Sequence, residues 1–130
     1  MSIRIANAPC SWGALEFDLG DEGPGGLRIL REMAQTGYAG TELGDWGLLP
    51  TEPEALSAAL VAVDLELVGA FVPVPWIAPD AVAQGVRDAL RVARLLAAVA
   101  ARPFLILADD NGADPRRRAD YDTEHKGEAR

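Results

Sequence analysis

Four short apolar runs punctuate this chain, and amphipathic stretches separate them. Ile3 and Ile5, with the small residues after them, predict a first strand; Ala39 to Leu43 predicts a second, Leu67 to Val72 a third and Phe104 to Leu107 a fourth. Between the first two, Leu27, Leu30 and Ala34 share one helical face while Arg28, Arg31, Glu32 and Gln35 share the other, and Gly37 follows as a C-terminal stop. A second helix opens at Thr51-Glu52-Pro53-Glu54, where Thr51 and Glu54 have the spacing of a capping box, and its apolar stripe is Leu56, Leu60 and Val63. The third, from Asp80 to Val99, sets Val82, Val86, Leu90, Ala93 and Ala97 against Arg87, Arg91 and Arg94.

The run Leu67-Val68-Gly69-Ala70-Phe71-Val72 has no polar interruption, so the sequence predicts a strand covered on both faces. Such strands separated by helices are the pattern of a parallel sheet; an antiparallel sandwich would alternate. The order βαβαβαβ, at about 30 residues per unit, is the spacing of a (β/α)8 barrel. The expected fold class is therefore α/β, a partial (β/α)8 TIM barrel occupying residues 1–112. Residues 113–130 alternate charge with small side chains, show neither apolar period and are expected to form an irregular, disordered tail. With no fifth strand legible, the expectation is the first half of a barrel, as a truncated gene would encode. A flavodoxin-like open sheet is the other arrangement that βαβ units allow.

Composition narrows the partners. A length of 130 residues suits one domain with a real core. The formal charge of −8 disfavours nucleic acid, which is bound through clustered Lys and Arg, and suits a small neutral polyol. No apolar run is long enough for a bilayer, and Met1-Ser2-Ile3-Arg4 lacks the features of a secretory signal, so a cytoplasmic location without membrane contact is expected. The single cysteine, Cys10, excludes an intrachain disulfide.

Candidate chemistry sits where strands end. Asn7-Ala8-Pro9-Cys10-Ser11-Trp12-Gly13 and Gly37-Tyr38-Ala39-Gly40-Thr41-Glu42-Leu43-Gly44 each close an apolar strand with small and functional residues, as the rim of a parallel α/β site does. Glu42, beside Asp45 and Trp46, is the candidate to hold a hydroxyl or move a proton; it reads equally as a strand-end carboxylate satisfied by backbone N–H groups. Trp12, Trp46 and Trp76 each follow a strand and offer flat platforms for the C–H face of a sugar, or else pack loops onto helix ends. Cys10 has no base near it in sequence. His125, with Asp120, Asp122 and Glu124, has no compact ligand spacing, and the Gly20 to Gly26 segment lacks the Lys-Ser/Thr ending of a phosphate loop. Asp109-Asp110-Asn111 fits a binding rim or an ordinary turn.

The rim Ala8-Pro9-Cys10-Ser11-Trp12-Gly13, together with Glu42-Leu43-Gly44 and the later Pro50, resembles the xylose-isomerase-like barrel superfamily of sugar isomerases, epimerases and dehydratases. The likeness is greatest to inosose dehydratases and covers about residues 3–112. It implies a sugar or cyclitol isomerase, epimerase or dehydratase, with Trp12 in contact with the substrate ring, Glu42 recognising a hydroxyl or transferring a proton, and Trp46 shaping the pocket. Full-length members hold manganese, cobalt or magnesium through Glu, Asp and His on later strands, where the metal polarises a ketone or hydroxyl. No metal ligand carries over, so no cofactor is expected for residues 1–130 alone and autonomous catalysis is not expected. One branch of the superfamily repairs abasic DNA, and the acidic composition argues against that branch. The alternative is a noncatalytic binding or assembly fragment that self-associates through its open sheet edges.

Overall fold

A computed structural model describes residues 3–13, 25–76 and 78–109. The Gly-rich segment before residue 25, the strand-four turn beyond Asp109 and the 113–130 tail with His125 fall outside those residues. Within them the chain alternates strand and helix: β1 (Ala6–Asn7), a 3-10 turn (Pro9–Trp12), α1 (Gly26–Gln35), β2 (Gly40–Glu42), α2 (Pro53–Val61), β3 (Glu66–Val74), α3 (Pro79–Val99) and β4 (Phe104–Asp109). The four strands form one parallel sheet in the order β1-β2-β3-β4. Each βα unit therefore adds its strand beside the last, always on the same side. Right-handed crossovers in such a sequence place successive helices on one face of the sheet.

Burial agrees with that one-sided layering. A single core joins Ile29, Leu30 and Met33 of α1, Leu56 and Leu60 of α2, Ala89, Val92, Leu95 and Leu96 of α3, and Ala70, Val72 and Val74 of β3. The opposite face is open: Phe71, Phe104 and Ile106 are exposed, and the pairing Phe71 with Ile106 and Gly69 with Phe104 makes them neighbours. The expectation of cover on both faces of the third strand is thus corrected. Part of its apolar run follows from register. The β2–β3 register slips between Thr41 and Glu42, so β3 spends an extra residue there. Leu67 and Ala70, three apart, both end in the core, where strict alternation would have put them on opposite faces.

The helices start and stop as local chemistry dictates, with three corrections, one of them in α3, where Gly85, Ala89, Val92, Leu95 and Leu96 are buried while Val86 and Leu90 of the expected stripe are exposed. In α1 the buried stripe is Ile29, Leu30 and Met33, while Leu27 is exposed; the helix is rotated by about one residue from the stripe read in the sequence. It ends as expected at Gly37 (φ +90°), with the Tyr38 N–H donating to Met33 O and the Gly37 N–H to Ala34 O. In α2 the capping box does not form. Glu52 occupies the N-cap without a side-chain cap bond, and Pro53 at the first helical position removes one orphan donor instead. That helix closes through Asp64 at φ +56°, with Leu65 N–H donating to Leu60 O. Gly85 lies against Val74 across the α3–β3 interface, so closely that an added Cβ would sit 2.5 Å from the Val74 Cγ1. No helix among the described residues is long and apolar enough to cross a membrane.

Candidate functional site

The C-terminal ends of β1 and β2 lie side by side, and their exits are locked to each other. Gly44, at φ +70°, leaves a space in which a Cβ would approach Leu48 Cδ2 at 2.9 Å and Pro9 Cγ at 3.0 Å. The two rim segments read from the sequence are therefore in contact, through Pro9 on one and Gly44 on the other. On the β1 side, Asn7 Oδ1 accepts from the Ala8 N–H at 2.8 Å and from the Ser11 hydroxyl at 2.9 Å, which folds the chain into the 3-10 turn. Cys10 on that turn is exposed.

On the β2 side, Thr41 is fully buried and its hydroxyl donates to Glu42 O at 2.8 Å. Strand alternation then sends Glu42 to the face opposite Thr41, away from the helices and toward the open side of the sheet. Glu42 is half-buried, and its backbone is paired to Gly69 in β3. Three residues on, Asp45 is also half-buried, and burial pushes its carboxyl above the ordinary aspartate value of 3.8. Two carboxylates thus flank the exit of β2.

Trp12 and Trp46 are held by protein groups. Trp12 meets the Tyr38 ring edge-to-face at 6.1 Å and packs on the core. The nearby Glu32 carboxyl lies below the usual range, chiefly through the hydrogen bond from Arg28 at 2.8 Å and that residue's charge; desolvation opposes the shift, and a hydrogen bond from the Trp12 side chain adds to it. Trp46 carries the Arg91 guanidinium over its ring, 4.1 Å from the centroid, and Arg91 is itself paired with Asp88 at 3.1 Å. Trp76, after β3, is exposed and lines an apolar groove of about 250 Å³ with Val86 and Leu90 of α3 and Leu107 of β4. Trp12 therefore buttresses α1, and Trp46 is a strut between the β2 exit and α3.

Sequence reasoning missed Arg91 as part of this region and, although it set Asp45 beside Glu42, did not foresee the burial of Asp45. The 44 positions between Trp46 and Arg91 carry no local signal of their stacking, and the burial of Asp45 arises only when the loop folds back. A further cavity, of about 500 Å³, opens at the other edge of the sheet among Arg4, Ser57, Glu66, Arg102 and Phe104, where Arg4 pairs with Glu66 at 2.6 Å. In parallel α/β folds that N-terminal edge serves stability, and ligands gather at the strand C-termini.

Among the described residues no group of three or more His, Cys, Asp or Glu could hold a metal ion. Comparison with protein-family models gave no match, and no curated protein is significantly similar to the chain.

Proposed function

We propose that residues 3–109 form the first four strands of a barrel related to the xylose-isomerase-like superfamily, and that the exit of β2 recognises a sugar or cyclitol. One observation carries the reading. The order 1-2-3-4 with helices on one face is the order that the first strands of a barrel have, which supports the reading; in a barrel the face opposite the helices, which Glu42 shares by strand alternation, is the inner one. A flavodoxin-like sheet would instead place β1 between β2 and β3. In this reading Glu42 accepts a hydrogen bond from a substrate hydroxyl, and Asp45 lies three residues on at the same strand exit. Trp46, braced by Arg91, fixes the wall, and Trp12 offers the part of its ring that Tyr38 leaves uncovered. Catalysis is assigned to an assembly that includes the later strands, where the resemblance places the metal ligands.

Titration of the full chain with inosose, followed by calorimetry and by amide chemical shifts, tests the reading. Saturable binding with a Kd on the order of 1 mM, about 4 kcal/mol, is expected. It should be lost in Glu42→Ala, with shifts centred on residues 42–46. Absence of a saturable response to inosose and to xylose, or shifts confined to the N-terminal cavity around Arg4 and Arg102, would overturn it.

A further inference from the structure

We infer that two copies of this chain close on each other as an eight-stranded parallel barrel, β4 of each copy pairing with β1 of the other. The inference rests on the partial-barrel reading above; in it the strands of a second copy stand where a complete barrel has its later strands, and the dimer is assigned no catalysis. Among the described residues β1 and β4 are the two outer strands of the sheet, and each edge is bordered by exposed apolar side chains. Ile3 is 92% exposed and Ile5 61% on one edge; Phe104 is 72% exposed on the other, with Ile106 and Leu107 nearly half exposed. Between the edges, Phe71 extends the apolar surface across the open face. An edge strand with this composition and no blunting Lys or Pro along Phe104–Asp109 is a template for pairing.

The area is sufficient. At about 150 to 200 Å² per large side chain, these six residues leave roughly 500 to 700 Å² of apolar surface open on each copy. A standard interface takes about 800 Å² per partner, of which about 500 Å² is apolar in homodimers. Geometry selects closure over other pairings. Two β4 strands meeting antiparallel would extend the sheet and leave Phe71, Phe104 and Ile106 in water. Closure about a two-fold axis along the strands turns that face inward and makes two identical seams. By strand alternation from Ala6 and Ala70, the outer side of each seam sets Ile3 and Ile5 against Leu105 and Leu107 of the other copy.

Sedimentation of the full chain reads the stoichiometry, with twice 13.8 kDa expected. Ile106→Asp should weaken the dimer about tenfold or more, through loss of apolar burial. Val61→Asp, on an exposed position of α2 away from both seams, should leave it unchanged. Pairing is read in a Cys10→Ser background by mixing Ile5→Cys and Leu107→Cys chains with a short bismaleimide. Closure gives 5–107 cross-links between copies. Cross-linking of 107 to 107 alone would show antiparallel β4 pairing and overturn closure. A monomer with its helical circular dichroism intact would overturn the dimer and leave the polyol reading, which stands or falls on its own titration.

Discussion

Replacing Gly85 by Ala should destabilise the protein although it improves a helix, and the reason is a single neighbour. Gly85 lies inside α3, where Ala is favoured over Gly by about 1 kcal/mol. Its backbone, however, approaches β3 so closely that a Cβ would meet Val74 Cγ1 at 2.5 Å and Val74 Cβ and Cγ2 at 3.3 Å. Val74 is buried, and a β-branched side chain has little rotamer freedom with which to yield. Overpacking of this kind costs about 1–3 kcal/mol, so the net loss for Gly85→Ala should be about 1 kcal/mol. In a Val74→Ala background the obstructing methyl is gone, and the same change should stabilise by up to about 1 kcal/mol. The double-mutant cycle should therefore show a coupling of about 2 kcal/mol. Urea unfolding of the four proteins, followed by far-UV circular dichroism at one fixed protein concentration, measures it. Additive effects, with Gly85→Ala stabilising in both backgrounds, would refute the close α3–β3 approach on which the one-sided helix layer depends.

Asp64→Gly should stabilise the chain by about 0.5–1 kcal/mol in the same assay, because Asp64 holds φ +56° where Gly carries no Cβ penalty. Burial raises the Asp45 pKa, so its protonation favours the folded state. The contribution is fully present below the ordinary value of 3.8 and is lost as pH rises through the higher folded value. Relative to Asp45→Asn, the parent protein should gain stability as pH falls across that window, and parallel pH profiles would exclude the effect. For Glu32 the sign is opposite: stability present above the ordinary glutamate range is lost as pH falls through its lowered value, and removing the guanidinium with Arg28→Met should move the carboxyl pKa up by NMR titration. Arg91→Ala and Trp46→Phe should couple by about 0.5–1 kcal/mol in a double-mutant cycle if the stacked guanidinium braces the loop after β2.

The one-sided layering links these properties. Three helices share one core with one face of the sheet, while Phe71, Phe104 and Ile106 stay open on the other. The same arrangement puts Glu42 on the face away from the helices and, among the described residues, leaves β1 and β4 as edges. The polyol site and the closure by a second copy proposed above both draw on this arrangement. Their tests are independent, one reading ligand at residues 42–46 and the other reading mass and seam cross-links.

Hydrophobic periodicity alone determined the alternation of strands and helices, and Gly37 marked a helix end because few residues but Gly take a positive φ there. These are local properties, decided within a few residues of chain. The rotation of α1 onto Ile29, Leu30 and Met33 was decided by the sheet and the loop it packs against, since Gly26 fits closely beneath Leu48 and Leu49. The start of α2 passed from Thr51 to Pro53 when its capping box failed to form. The slip between Thr41 and Glu42 puts both Leu67 and Ala70 of the β3 run in the core, while Phe71 of the same run stays exposed. Arg91 over Trp46 and the burial of Asp45 join groups far apart in sequence, or depend on a loop folding back on itself. A sequence specifies which surfaces are apolar; which of them meet is settled by strand order and register, because one residue of slip sends a side chain to the other face.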